Sequence, residues 1–206
     1  MGIQAVVFDI GNVLIEWNPE RFYDAEIGRE RREELFAQVD LHAMNDRVDM
    51  GEDFRTTIYD AAERHPAYRD AIRLWHDRWI DMASPAIDQS VQLLRALRSN
   101  GVPVFALSNF GIGTFAQAQS VYDFLHEFDR PYISGHLGVI KPDPEIYRIL
   151  EDDSGLPPES LLFADDRADN IAMAASRGWQ THLFDGPQGW ADRLVAEGLL
   201  AQEQAA

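Results

Sequence analysis

Five short apolar runs separated by helix-length stretches constrain the fold of this 206-residue chain more than any other feature. They are Ile3–Phe8, Val102–Leu107, Pro131–Ser134, Ser160–Ala164 and Gln180–Phe184. The first contains Ala5-Val6-Val7-Phe8 without a polar interruption, the texture of a strand buried on both faces. Between the later runs lie Ile87–Asn100, Thr114–Phe128, Glu145–Asp153 and Asn170–Arg177, which read as helices. Ile87–Asn100 carries Val91, Leu94 and Leu97 on one face and closes at Gly101, a residue suited to ending a helix. Strands alternating with helices predict an α/β fold, a Rossmann-like parallel sheet covered on both faces.

Residues 17–84 break the alternation. They hold no convincing strand and read as charged amphipathic helices, for example Arg29–Val39, Glu52–Arg64 and Tyr68–Met82, punctuated by Pro66 and Pro85. The expected organisation is a core of residues 1–16 and 85–206, with residues 17–84 inserted as a helical cap. Within that insertion Trp75 and Trp79 read as packing residues. Arg47 and Arg55 stand nearest a glycine turn where a substrate's organic part would be met.

Apolar residues make up 46% of the chain, enough for a sizeable core. The formal net charge is −17, which disfavours nucleic-acid backbones and anionic membranes as partners. An anionic substrate therefore needs a local cation. There is no cysteine, which excludes thiol nucleophiles, disulfides and thiolate metal sites. The six histidines show no metal-ligand spacing. No run approaches the roughly eighteen apolar residues of a membrane span, and the start of the chain has no leader-like pattern. A cytoplasmic protein with a frayed, alanine-rich tail at Ala201–Ala206 is expected.

Polar residues stand at the ends of four of these units: Asp9, Ser108-Asn109, Lys141, and Asp165-Asp166 with Asn170 following. In a doubly wound sheet the C-terminal strand ends form one edge, so these groups share a crevice. Three carboxylates there, Asp9, Asp165 and Asp166, would repel one another. A hard dication such as Mg²⁺ resolves the conflict, and the substrate that suits it is a phosphate. Asp9 can then attack phosphorus, while Ser108, Asn109 and Lys141 hold the phosphoryl oxygens.

These motifs resemble, in order and over nearly the whole chain, those of the haloacid dehalogenase-like hydrolase superfamily. Phe8-Asp9-Ile10-Gly11-Asn12-Val13-Leu14 is similar to its first motif, Ser108-Asn109 to its second and Lys141-Pro142-Asp143-Pro144 to its third. Phe163-Ala164-Asp165-Asp166-Arg167 through Asn170 and Arg177-Gly178 is similar to its fourth. The resemblance implies Asp9 as nucleophile, Asp9, the Gly11 carbonyl and Asp166 on Mg²⁺, and Asp165 and Asn170 in support. It implies a small phosphorylated metabolite as substrate and a cap after the first motif. The D-x-G-N-V form resembles a bacterial branch of phosphatases that includes enzymes acting on sugar 1-phosphates.

One departure matters. Superfamily phosphatases usually carry a second Asp two residues after the nucleophile, as acid for the leaving group. Gly11 stands there and can move no proton. General acid–base catalysis contributes on the order of 10²–10⁴-fold, so slow turnover of alkyl phosphates is expected. Three other readings accompany the phosphatase. One is a metal-independent 2-haloacid dehalogenase, against which the Asp165-Asp166 pair argues. Another is a non-catalytic protein binding a phosphometabolite or a partner, suggested by Gly11. The third is a dinucleotide site at Gly111-Ile112-Gly113-Thr114-Phe115-Ala116, for which a plain glycine-rich turn is the simpler explanation.

Overall fold

A computed structural model describes residues 2–205, so Ala206, the last residue of the expected frayed tail, lies outside the described residues. Five parallel strands form the central sheet: β1 (Ala5–Phe8), β4 (Val104–Ser108), β5 (Arg130–Ile133), β6 (Leu161–Asp165) and β7 (Gln180–Leu183). A pair, β2 (Ile15–Trp17) and β3 (Ala83–Ala86), stands apart from them. The order across the sheet is β5-β4-β1-β6-β7, and every pairing is parallel. All five expected strands are present, each to within two residues.

β1 is the middle strand, and its four residues are wholly buried. Side chains alternate across it. Val6 and Phe8 join Val104, Ala106, Leu162 and Ala164 in one core, while Ala5 and Val7 join Phe105, Leu107, Leu161 and Phe163 in the other. This two-sided burial is why the run carries no polar residue. Helices α7 (Asp88–Ser99) and α12 (Pro187–Ala196) supply Leu94 and Trp190 to the first core. Helices α10 (Pro144–Ser154) and α11 (Ala168–Ser176) supply Tyr147 and Ala174 to the second.

The chain between β2 and β3 is helical: α1 (Pro19–Ile27), α2 (Arg29–Gln38), α3 (Leu41–Asp49), α4 (Phe54–Arg64), α5 (Arg69–Asp77) and α6 (Trp79–Met82). Asn18 and Asp40 cap α1 and α3, accepting from the Arg21 and Ala43 amides, both at 2.9 Å. The expected single helix Tyr68–Met82 is broken at Arg78, whose backbone is non-helical. β2 and β3 pair antiparallel, Ile15 opposite Ala86 and Trp17 opposite Ala83, so both ends of the helical segment lie side by side. The expected boundaries at 16/17 and 84/85 therefore fall inside a ribbon that sequence reading did not reveal. Three residues on one strand and a proline in the other leave no alternation to detect.

Two further expectations are corrected. The helix expected over Thr114–Phe128 is α8 (Ile112–Gln119), followed by a short 3₁₀ turn at Asp123–His126. The chain must come back to β4, where Asp129 accepts from the Val104 amide at 2.8 Å and donates its own to Val104 at 2.9 Å. A straight helix of that length would overshoot this contact. Nor is the tail frayed at Gln204, whose side chain exchanges hydrogen bonds of 2.8 and 3.0 Å with Asn100, or at Ala205, which is buried. The short α9 (Ser134–Leu137) leads from β5 to Lys141. No helix among the described residues is long and apolar enough to cross a membrane.

Candidate active site

Three adjacent strands end in the chemistry. Ser108 and Asp165 are the last residues of β4 and β6, and Asp9 follows β1 between them, its amide donating to Ala164 at 2.9 Å. Asp9 Oδ1 accepts from the Ile10 amide at 2.7 Å and the Ser108 hydroxyl at 2.6 Å, and lies 2.9 Å from Lys141 Nζ. Lys141 also donates to Asp165 Oδ2 at 2.6 Å. All four side chains are buried.

Electrostatics here are dominated by desolvation. Burial pushes the Asp9 carboxyl up to about 7, opposed by Lys141 and assisted by Asp165. Burial pulls Lys141 down, but Asp165 and Asp9 more than offset it and hold the ammonium above its ordinary range. Burial also raises Asp166, with the Asn12 amide opposing. Carboxylate oxygens of Asp9, Asp165 and Asp166 lie within 4.8 Å of one another, a group that can hold a metal ion.

The donor set fits a hard dication. Asp165 has both oxygens committed, to Arg167 N, Asn170 Nδ2 and Lys141 Nζ. Asp9 Oδ2 and Asp166 Oδ1 accept no side-chain or distant backbone hydrogen bond among the described residues, so those two carboxylates retain capacity for a ligand. Asn170 Oδ1 is buried beside them without a partner, an acceptor that a hydrated cation would satisfy. Oxygen donors of this kind suit Mg²⁺.

A cavity of about 460 Å³ opens onto these groups, lined by Asp9, Gly11, Ser108, Asn109, Lys141, Asp166 and Asn170 but not by the occluded Asp165. Asn109 lines it, but its side chain is taken up at the base, accepting from Lys141 N at 2.7 Å and donating to Lys141 O at 3.0 Å. It thereby fixes the loop that presents Lys141. Arg47 and Arg55 do not line the cavity. Arg47 pairs with Glu52, and Arg55 lies over the Tyr59 ring. Trp75 is fully buried packing, whereas Trp79 is both packing and cavity wall.

Two features escape sequence reading. Asn12, in the left-handed region at φ 54°, donates to Asp166 Oδ2 at 2.9 Å and accepts from the Trp17 amide at 2.9 Å. In the sequence it is the asparagine of the D-x-G-N-V form, with nothing to assign it these two bonds. From the helical segment, Asn45, Asp46, Asp49 and His42 of α3 form the opposite wall with Trp17 and Trp79. Gly111 and Gly51 explain how α3 comes so near: a Cβ on Gly111 would stand 2.5 Å from Val48 Cγ1, and one on Gly51, just past α3, 2.7 Å from Gly135 O. They serve helix docking, which accounts for the glycine-rich turn without a dinucleotide.

Known proteins resemble this chain over most of its length. It is 24% identical to a D-ribitol-5-phosphate phosphatase of Bacteroides thetaiotaomicron over 94% of this chain and 97% of that protein. It is also 24% identical to a drimenol cyclase of Aspergillus calidoustus over 88% of this chain, but spans only 34% of that longer enzyme. A crystal structure of a HAD family enzyme from B. thetaiotaomicron superposes with a TM-score of 0.75 at 22% identity, covering 94% of this chain and 99% of that one. That likeness shows a shared fold. The same bacterial enzyme has been crystallised with magnesium and inorganic phosphate. Residues 3–178 match the family model for haloacid dehalogenase-like hydrolases, and it is to this family that the chain belongs.

Proposed function

We propose that this protein hydrolyses a small, polyhydroxylated phosphomonoester with Mg²⁺, through a phosphoryl group carried on Asp9. The observation that carries the reading is the Asp9–Lys141–Asp165–Asp166 group at one cavity floor. It joins a nucleophile and a buried ammonium to a carboxylate pair with room for a dication. A dehalogenase working without metal has no use for that pair.

Asp9 attacks phosphorus, its carboxylate held in place by Ser108 and the Ile10 amide. Lys141 neutralises oxygen charge on the transferring group, and Asn109 holds the Lys141 backbone in register. Mg²⁺ held by Asp9, Asp166 and the Gly11 carbonyl would screen the phosphoryl charge from the carboxylates. Asp165 keeps Lys141 in position, and Asn170 keeps Asp165 in position. Residues 17–84 act as a cap hinged on the β2–β3 ribbon, excluding water over the site.

The wall contributed by the cap limits the leaving group. It carries Glu16, Asp46, Asp49, His42 and Asn45 with two tryptophans, and neither lysine nor arginine. A second phosphate or carboxylate on the substrate would meet carboxylates. Hydroxyls find acceptors there and aromatic faces to lie on. The relative acting on ribitol 5-phosphate supports the same class.

The test is phosphate release from a panel of sugar and alditol phosphates and p-nitrophenyl phosphate, with and without Mg²⁺, beside Asp9→Asn. Metal-dependent release lost in the variant is expected. Chloride release from 2-chloropropionate in EDTA, with no phosphate release, would overturn the reading.

A further inference from the structure

Besides Asp9, one other buried carboxylate lines the cavity among the described residues, Asp49. It is the last residue of α3, on the part of the cavity lining that the helical segment supplies. The other acidic groups of that wall are differently placed: Asp46 is exposed, and Glu16 is ion-paired with Arg21.

Asp49 is held from several sides. Asn45 Nδ2 donates to its Oδ2 at 2.8 Å, and Asn45 is oriented in turn by Trp75 Nε1, which donates to Asn45 Oδ1 at 3.0 Å. The Asp49 carbonyl accepts from Ser134 Oγ at 2.6 Å, and Ser134 Oγ accepts from the Phe110 amide at 2.9 Å. Phe110 follows Ser108-Asn109 directly, so the backbone of Asp49 is fastened to the loop that carries the phosphoryl-binding residues. Val48, beside it, rests on Gly111, where no side chain fits. This much fixation is what a proton-transfer group requires and a solvated surface carboxylate lacks.

Resting on the phosphatase reading above, we propose that Asp49 is the general acid and base of this enzyme, doing from the cap what Gly11 cannot do from the first motif. As the Asp9–phosphorus bond forms and the bond from phosphorus to the leaving oxygen breaks, the Asp49 carboxyl proton passes to that oxygen and the alcohol departs. The Asp49 carboxylate then takes one proton from water as the water oxygen bonds to phosphorus. Asp9 and hydrogen phosphate are released, and Asp49 is again protonated.

Its protonation state fits. Burial first, then Asp46 and Asp9, push the Asp49 carboxyl up to about 7, with the Gly111 amide opposing. A position at the C-terminal end of α3 also disfavours the anion. The ionisable groups sharing its cavity are Asp46 and His42 on α3, Glu16 on β2, and Asp9, Lys141, Asp166 and Arg167 from the sheet edge. A proton is therefore available near neutral pH, and the slow alkyl-phosphate turnover expected from Gly11 does not follow.

The experiment compares Asp49→Asn with wild type on p-nitrophenyl phosphate, whose leaving group needs little protonation, and on the best alkyl phosphate of the panel, whose leaving group needs much. The alkyl-to-aryl ratio of kcat/KM, which reports phosphoryl transfer to Asp9 and not the hydrolysis step that both substrates share, should fall by about 100-fold in Asp49→Asn, within the range general acids contribute. Asp49→Glu should recover part of it. Gly11→Asp placed in the Asp49→Asn background should also recover it, since a Cβ at Gly11 meets nothing nearer than 4.0 Å. In wild type, kcat/KM for the alkyl substrate should fall as pH rises past about 7, and kcat/KM for the aryl substrate should not. That last measurement serves if Asp49→Asn does not fold. Equal losses of kcat/KM on both substrates, or the same pH profile of kcat/KM for both, would overturn the assignment while leaving the phosphatase reading intact. No release from either substrate by the wild type would overturn both.

Discussion

Asn12 Nδ2 lies 2.9 Å from Asp166 Oδ2 while Asn12 Oδ1 accepts from the Trp17 amide, so one side chain joins the carboxylate proposed to hold Mg²⁺ to the first strand of the ribbon leading into the helical segment. The residue adopts φ 54°, which asparagine tolerates better than most. Asn12→Ala removes both hydrogen bonds and adds backbone strain. It should raise the Mg²⁺ concentration for half-maximal activity by about tenfold, the low end for residues that orient metal ligands. Asn12→Gly relieves the strain and should regain thermal stability without regaining metal affinity. Metal titrations and thermal melts of the two variants check this.

Lys141 is the counter-charge of two buried carboxylates, Asp9 at 2.9 Å and Asp165 at 2.6 Å. Lys141→Met should abolish turnover and also destabilise the metal-free fold by about 3–5 kcal/mol, the cost of leaving buried charge unpaired. Urea unfolding in EDTA measures it. Adding Asp165→Asn should restore part of the stability and none of the activity.

Helix docking at the second motif predicts a graded glycine series. Gly111→Ala would put a methyl 2.5 Å from Val48 Cγ1 and 2.9 Å from Val48 O. Gly135→Ala would meet backbone at 2.8 Å, and Gly113→Ala meets only Phe54 Cβ at 3.4 Å. The first two should each cost about 1–3 kcal/mol, as overpacking does, and the third clearly less. Thermal melts rank them. Gly111→Ala should lower kcat by displacing α3 from the cavity, and Gly135→Ala by displacing α9, whose Ser134 hydroxyl donates to the Asp49 carbonyl.

Asp49 also predicts how stability responds to pH. Its carboxyl is raised from an ordinary 3.8 to about 7, so between these values the folded chain binds more protons than the unfolded one. The sign follows: stability is highest below pH 4 as far as this group is concerned, declines as pH rises to about 7, and is level above. Three units correspond to about 4 kcal/mol as an order of magnitude. In EDTA, Asp49→Asn should melt at a more nearly constant temperature between pH 5 and pH 8 than wild type. An unchanged slope would show that the group is not protonated in the fold.

How much was legible in advance varies by element. The strands of the main sheet were, because burial on both faces demands uninterrupted apolar runs. The motif residues were, because they sit at strand ends, and a parallel sheet brings strand ends together whatever the connections. The β2–β3 ribbon was not, because so short a pair leaves no periodic trace. The C-terminal turn was misread because alanine and glutamine look the same solvated or docked, and only the Gln204–Asn100 pairing distinguishes them.

By itself, then, the sequence determined the parallel sheet, the polar residues at its edge and the absence of an acid at position 11. Those properties are local, written in runs and in strand ends. Tertiary structure alone decided that Asn109 grips the Lys141 backbone, that Asn12 ties Asp166 to the ribbon, and that Asp49 is buried in the cavity wall. A carboxylate on a charged amphipathic helix looks like any other solvated group until packing determines which way the helix faces. Here the missing side chain of Gly111 determines it, by letting α3 approach the second motif closely enough to withdraw Asp49 from water.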